Sequence, residues 1–374
     1  MNYTSIFSPD KIFGGSGDSS NPIMWAVWIV PIIVFVFYGQ RIQLIVTSSE
    51  INKNITKLQK YKDDTKKELL QYLQKSRPIG DVEKKIENFM EYFTIMPVDI
   101  DPNGIMPKIK HLLRIREDYT KKQVMLLAEN LSAIEASKIQ NLLEIATSLN
   151  MLHKIVRHLF LTAKKQNNFP LILPLQMMLP FIMEQAEALQ EAVSAIKKGQ
   201  PIGDGIGPMV VGKMMLKTEK KPIGLETVYS ETDFEGRKLI LLKAQGPNAT
   251  VGRPGDAVEI LVQEKKPEII IMVDAGLKLE GETSATIAHG FGAAIGGIGT
   301  DRFQIEEIAT RHQIPIFAII IKQSIKEAIT LMTKEIADKA DDVESQIYQN
   351  IRQNTTDNQA VLIIGVGNTL GIPQ

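Results

Sequence analysis

Two solid apolar runs, Ile269 to Val273 and Ala360 to Ile364, constrain this chain more than any other feature. A strand that is apolar at every position, rather than at alternate ones, has both faces covered. Such strands belong to parallel sheets sandwiched between helices. From Gly199 onward the grammar alternates. Helix Pro208 to Leu216 is followed by strand-like Leu225 to Tyr229 and Lys238 to Lys243, then helix Gly255 to Glu264 and strand Glu268 to Asp274. Helix Arg302 to His312, strand Ile314 to Ile321, helix Ser324 to Gln353 and strand Ala360 to Val366 complete the series. The alternation predicts a three-layer α/β domain over 199–374 with a mainly parallel sheet.

Residues 41–198 read as helical instead, so the chain as a whole is α + α/β, and 374 residues give room for two cores. Gln40 to Lys75 reads as a polar helical stalk with a narrow apolar stripe of Ile51, Ile55 and Leu58. Pro78-Ile79-Gly80-Asp81 breaks it, with Asp81 placed to cap the next helix, Val82 to Thr94. Met96 to Pro107 is a loop, and Lys108 to Lys165 is again helical. Phe169 to Met183 is apolar but interrupted by Pro174 and Pro180, which suits a buried connector or a segment lying on a membrane or partner. A helical stalk of this kind makes a homo-oligomer the expected assembly.

The N-terminus carries a membrane signal. No charged residue falls between Ser19 and Gln40, and Ile23 to Tyr38 is almost wholly apolar, with Trp25, Trp28 and Tyr38 near its ends. Residues 23–40 are thus expected to form a transmembrane helix, with Pro31 tolerated inside it. Met1 to Asp18 lacks the basic start of a cleaved signal peptide. Lys11 alone precedes the span, whereas Arg41, Lys53, Lys57, Lys60 and Lys62 follow it. The positive-inside rule then puts residues 1–22 outside the cell membrane and the main domains in the cytoplasm, as a single-pass protein.

Charge is balanced, with 43 basic and 43 acidic residues, so no nucleic-acid partner is expected. There is no cysteine, which excludes thiolate metal sites and cysteine nucleophiles. No Walker-type lysine loop supports nucleotide binding.

Three separated segments read as pieces of one acidic site. Gly203-Asp204-Gly205-Ile206-Gly207-Pro208 is a glycine-rich turn opening a helix, where a carboxylate is favoured by the helix dipole. Asp204 read alone is as well explained as an N-cap, and Pro78-Ile79-Gly80-Asp81 repeats its first four residues without the glycines that follow. Asp274 follows Ile-Ile-Ile-Met-Val directly, and a charge there is costly unless paired, bonded or bound to a cation. Gly365-Val366-Gly367-Asn368 ends the last strand. Residues just past the carboxyl ends of strands line the crevice of an open α/β sheet. Between them Thr286 to Gly299 reads as a glycine-rich loop, mobile or ligand-shaped, with one imidazole, His289. Asp204 and Asp274 are the expected catalytic pair. With His289 they form a ligand set suited to zinc, nickel or manganese, or else the two acids activate water through separated pKa values.

Together these motifs resemble the fold group of hydrogenase maturation endopeptidases and the spore germination protease. There a strand ending Gly-x-Gly-Asn leads to an acidic turn and helix, and a later strand ends in Asp-Ala. Gly203 to Pro208 is similar to the acidic turn, and Val273-Asp274-Ala275 to the second motif. The resemblance implies that Asp204 and Asp274, with a histidine, hold nickel or cleave peptides. The Gly-Val-Gly-Asn strand comes last here, so a circular permutation is expected, with that strand inserted beside the first helix. The whole chain also resembles an uncharacterised family of archaeal membrane-anchored proteins. Gly-Asp-Gly-Ile-Gly-Pro occurs in β-decarboxylating dehydrogenases as well, without the arginine and aspartate motifs that accompany it there.

The expectation is therefore a membrane-anchored peptidase-like hydrolase acting on a protein or peptide partner. Its rival is a non-enzymatic scaffold or adaptor that oligomerises through the helical region.

Overall fold

The computed structural model describes residues 22–94, 104–166, 169–224, 226–297 and 299–373. Expectations placed on the segment before Pro22 and on 95–103 lie outside those residues. The chain divides into two compact units, Met1–Thr56 with Ile155–Pro180, and Lys57–Lys154 with Phe181–Gln374.

Helix α1, Pro22–Leu73, runs unbroken for 52 residues through Pro31. Its apolar stretch from Ile23 to Tyr38 rises only about 24 Å at about 1.5 Å per residue, against a hydrocarbon core of about 30 Å. Among the described residues no helix is long and apolar enough to cross a membrane. This overturns the transmembrane helix at 23–40, and with it the single-pass topology, the cell-membrane location and the inside–outside assignment. The stretch is the opening of a longer helix that continues into charged sequence at Arg41. The stripe Ile51, Ile55 and Leu58 is buried.

Helix α2, Val82–Met90, is capped by Asp81, whose carboxylate accepts from the Lys84 N–H at 3.1 Å. Helices α3, Ile105–Met125, α4, Ala133–Lys165, and α5, Phe169–Lys198, follow. Pro174 and Pro180 do not break α5: the connector expected at 169–183 is continuous helix. Within the first unit Val156, Phe160, Ile172 and Leu175 are buried, and the Thr47 hydroxyl donates to Gln176 Oε1 at 3.4 Å.

The second unit contains the sheet. After a short turn at Gly203–Gly205 come α6, Ile206–Met214, and strands β1, Lys221–Pro222, β2, Thr227–Phe234, and β3, Arg237–Ala244. Then follow α7, Pro254–Lys265, β4, Ile269–Leu277, β5, Ile287–Phe291, α8, Thr300–His312, and β6, Ile316–Gln323. The chain closes with α9, Ile325–Ile329, α10, Lys334–Asn354, and β7, Ala360–Gly365.

The seven strands lie in the order β1-β2-β3-β7-β4-β6-β5. Pairs β3–β7, β7–β4 and β4–β6 are parallel; β1–β2, β2–β3 and β5–β6 are antiparallel. The sheet is therefore mixed, a correction to the mainly parallel sheet expected. Solid apolar runs marked the covered central strands correctly, but the edges obey different rules. Strands β2 and β3 are joined by Glu235-Gly236, both at positive φ, as a tight hairpin requires. Strand β5, read in the sequence as loop, is an edge strand hydrogen-bonded on one side only.

Two cores flank the sheet. One side packs α6 and α10 against Leu239, Leu241, Ile271, Val273 and Ile363. The other packs α7 and α8 against Ile240, Leu242, Ile270, Met272 and Ile364. Alternate residues of each central strand feed opposite cores, which is why every position is apolar.

Candidate functional site

Strand β7, last in sequence, lies at the centre of the sheet, and its end meets the start of α6. A Cβ on Gly207 would stand 2.3 Å from Val366 O and 2.4 Å from Val273 O, so only glycine lets α6 begin this close to two strand ends. Gly367 has φ +133°, and a Cβ there would fall 1.9 Å from Asp204 O. The expected insertion of the last strand beside the first helix of the domain is thus the observed arrangement.

Asp204 does not cap its own helix. The residue preceding α6 is Gly205, with no side-chain cap, and Asp204 Oδ2 instead accepts the Asn368 N–H at 2.7 Å. The look-alike Asp81 is an ordinary cap, so the glycines after Asp204 mark the real difference between the two copies.

Asp274 sits on β4, two strands from the sheet edge, and is only 5% exposed. Its Oδ1 accepts the Ala275 N–H at 2.8 Å, and the Gly296 backbone also donates to it. Burial, and next the charge of Asp204, push its carboxyl well above the usual carboxylate range. Burial also raises Asp204, opposed by the Asn368 N–H, which favours the ionised form. No lysine or arginine contributes to either shift. The charge of Asp204 therefore favours the protonated form of Asp274, the more strongly raised of the two.

Both acids line a cavity of about 410 Å³ at the carboxyl ends of β4 and β7, a volume in the range of small-molecule sites. Its remaining wall comes from places the sequence reading missed. Lys110, Arg114 and Glu117 reach it from α3, Arg253 from the start of α7, and Asp301 from the start of α8. Lys110 and Arg114 share Asp256, at 2.6 and 2.5 Å. Glu117 bonds Arg253 and Lys121, each at 2.9 Å. Asp301 accepts the Gly255 N–H at 3.1 Å, and burial raises its carboxyl. The Gly296, Gly297 and Gly299 segment closes the rim.

His289 is elsewhere. It pairs with Ile319 on β6, whereas Asp274 pairs with the next residue, Ile320, so the two side chains leave opposite faces of the sheet. The His289 ring bonds Gln346 Oε1 on α10 at 2.7 Å. Asp204 and Asp274 converge; the three-residue ligand set does not fit one metal. Among the described residues no group of three His, Asp or Glu side chains is placed to hold a metal ion.

A family model described as "Protein of unknown function (DUF1512) N-terminal domain" matches residues 25–199, and one described as "Domain of unknown function (DUF1512) C-terminal" matches 202–373. The chain belongs to the DUF1512 family. No curated protein and no solved structure matches it. In DUF1512 terms the cavity is a joint product. Asp204 and Asp274 lie in the C-terminal match, and Lys110, Arg114 and Glu117 in the N-terminal one.

Proposed function

We propose that Asp204 and Asp274 are the acid–base pair of a hydrolase that cleaves peptide-type amide bonds without a resident metal. The observation that carries this reading is a pair of carboxylates, both raised by burial and one of them also by the charge of the other, opening into a cavity beside glycine backbone. A carboxylate and a carboxylic acid sharing one proton are the equipment for activating water and protonating a leaving group. Ionised Asp204 takes a proton from water as the water oxygen bonds the carbonyl carbon. Protonated Asp274 hydrogen-bonds the carbonyl oxygen as it gains charge. Collapse of the tetrahedral species breaks the C–N bond, and the amine leaves with the proton Asp204 acquired. The likeness of the three motifs to maturation and germination peptidases supports the choice of an amide bond over other acyl groups.

The test is hydrolysis of a synthetic peptide mixture, followed by mass spectrometry, for the full chain and its Asp204→Asn and Asp274→Asn variants. Cleavage lost in both, with melting temperatures no lower than wild type, supports the pair. Two variants that merely unfold make the residues structural. Stoichiometric metal in the wild type, lost from both variants, replaces proton sharing with a divalent cation held by the two acids. The scaffold reading also stands, because His289 lies outside the cavity. A folded, metal-free chain that cleaves nothing decides for it.

A further inference from the structure

The cavity that holds the aspartates does not end at Glu117. A second cavity, of about 230 Å³, begins there and shares Glu117 and Thr250 with the first. Away from Glu117 its apolar wall is Val124 and Met125 at the end of α3 with Ala133 and Ala136 of α4, and Ser137, Gln140 and Asn248 also line it. Its near end is polar, where Lys121 pairs with Glu226 at 2.5 Å and the Thr250 hydroxyl donates to the same Glu226 at 2.6 Å.

The two cavities therefore lie end to end along α3, from Lys110 to Met125. That length of helix rises about 22 Å, which an extended chain covers in about seven residues. A compact substrate at the aspartates leaves the second cavity unused. Glu117, fixed by Arg253 and Lys121, stands between them as a sill. Each of its oxygens takes one of those bonds and keeps acceptor capacity for a passing backbone N–H.

We propose that the second cavity is a subsite of the Asp204–Asp274 centre, taking an apolar side chain of an extended peptide several residues from the bond to be cleaved. This rests on the peptide reading above and adds what that reading does not give, namely a minimum length and an apolar anchor. Val124, Met125, Ala133 and Ala136 set the preference for that anchor.

The experiment uses full-length Asp204→Asn protein, so that bound peptide is not consumed. The probes are synthetic tri-, penta-, hepta- and nonapeptide pools of equal composition, read by affinity selection and mass spectrometry. Binding is expected to rise with length up to the heptapeptides and then level off, with leucine, methionine or phenylalanine enriched at one position. Ala136→Trp fills the second cavity from α4 without touching the aspartates. It is expected to weaken heptapeptide binding about tenfold, leaving tripeptides unaffected. If that variant fails to fold, Met125→Lys at the exposed rim serves in its place. Binding independent of length and of these substitutions overturns the subsite but spares the peptide reading. No binding at any length, by this protein or the wild type, overturns both.

Discussion

The backbone N–H of Asn368 lies 2.7 Å from Oδ2 of Asp204, a hydrogen bond spanning 164 positions of sequence. That donor favours the charged form of Asp204; Asp274 accepts two backbone N–H groups, yet burial and the charge of Asp204 raise it further.

That asymmetry sets a pH dependence. With its carboxyl raised, Asp274 binds a proton more tightly in the folded chain than in the unfolded one, which releases it near the ordinary aspartate value, about 3.9. Stability from this group is thus complete below that value and declines as pH rises toward the folded pKa. Asp274→Asn is neutral at every pH. Its denaturation midpoint is expected to match wild type at about pH 4 and to exceed it at about pH 8. Equal midpoints at both would contradict a protonated Asp274.

Lys243 makes the opposite case. It is 1% exposed on β3, its ammonium donates to Ala244 O at 3.2 Å, and burial lowers its pKa from 10.5 to about 8. The folded chain binds fewer protons than the unfolded one between those values, so stability rises with pH across that interval. The gap corresponds to on the order of 3 kcal/mol at neutral pH. Lys243→Met is expected to recover much of that and to flatten the rise, as read by urea titrations on either side of the interval.

Gly207→Ala is expected to be among the most damaging small changes in the α/β layers. The added methyl meets two carbonyl oxygens at 2.3 and 2.4 Å, and neither strand end can retreat without disturbing Asp204 or Asp274. Overpacking of this kind costs about 1–3 kcal/mol and sometimes more. Gly212→Ala, also on α6, meets only the flexible Lys243 chain at 3.3 Å and serves as the control. Thermal melts that rank the two equally would refute the close-approach argument.

Helix α3 should detach with salt. From Ile105 to Tyr119 it has no buried residue, and Lys110, Arg114, Glu117 and Lys121 fall on one stripe at i, i+4, i+7 and i+11. Each is ion-paired to Asp256, Arg253 or Glu226. Part-exposed pairs are worth about 0.2–1 kcal/mol and are screened at an ionic strength of about 1 M. Hydrogen exchange of α3 amides is expected to speed up with salt while the central strands stay protected; uniform behaviour would mean α3 is held by packing.

His289→Ala is expected to leave peptide cleavage and metal content unchanged, since its partner is Gln346 on the far side of the sheet. A loss of either would return the imidazole to the site.

What the sequence could reveal follows from what each residue has to satisfy. Ile269 to Val273 and Ala360 to Ile364 are buried on both faces, and that demand is visible in every side chain. Asp204 and Asp274 were visible because an acid beside glycines or an apolar run needs an explanation. His289 misled because its face depends on the β5–β6 register, and a shift of one residue reverses the face. The charges of α3 gave no sequence signal, because their partners, Glu226, Arg253 and Asp256, lie more than a hundred residues away. The apolar start of α1 carried a membrane composition at less than membrane length.

The central place of β7 bears on how the molecule comes together. Strand β3 meets β4 only through it, so a chain that has emerged no further than Asn354 carries two half-sheets with no ladder between them. Both half-sheets present an unpaired inner edge until Ala360–Gly365 slots between them, and bare edges of that kind invite pairing with other chains. The same insertion brings Asn368 to Asp204. The acidic centre is therefore completed by the same strand that seals the edges most prone to aggregation.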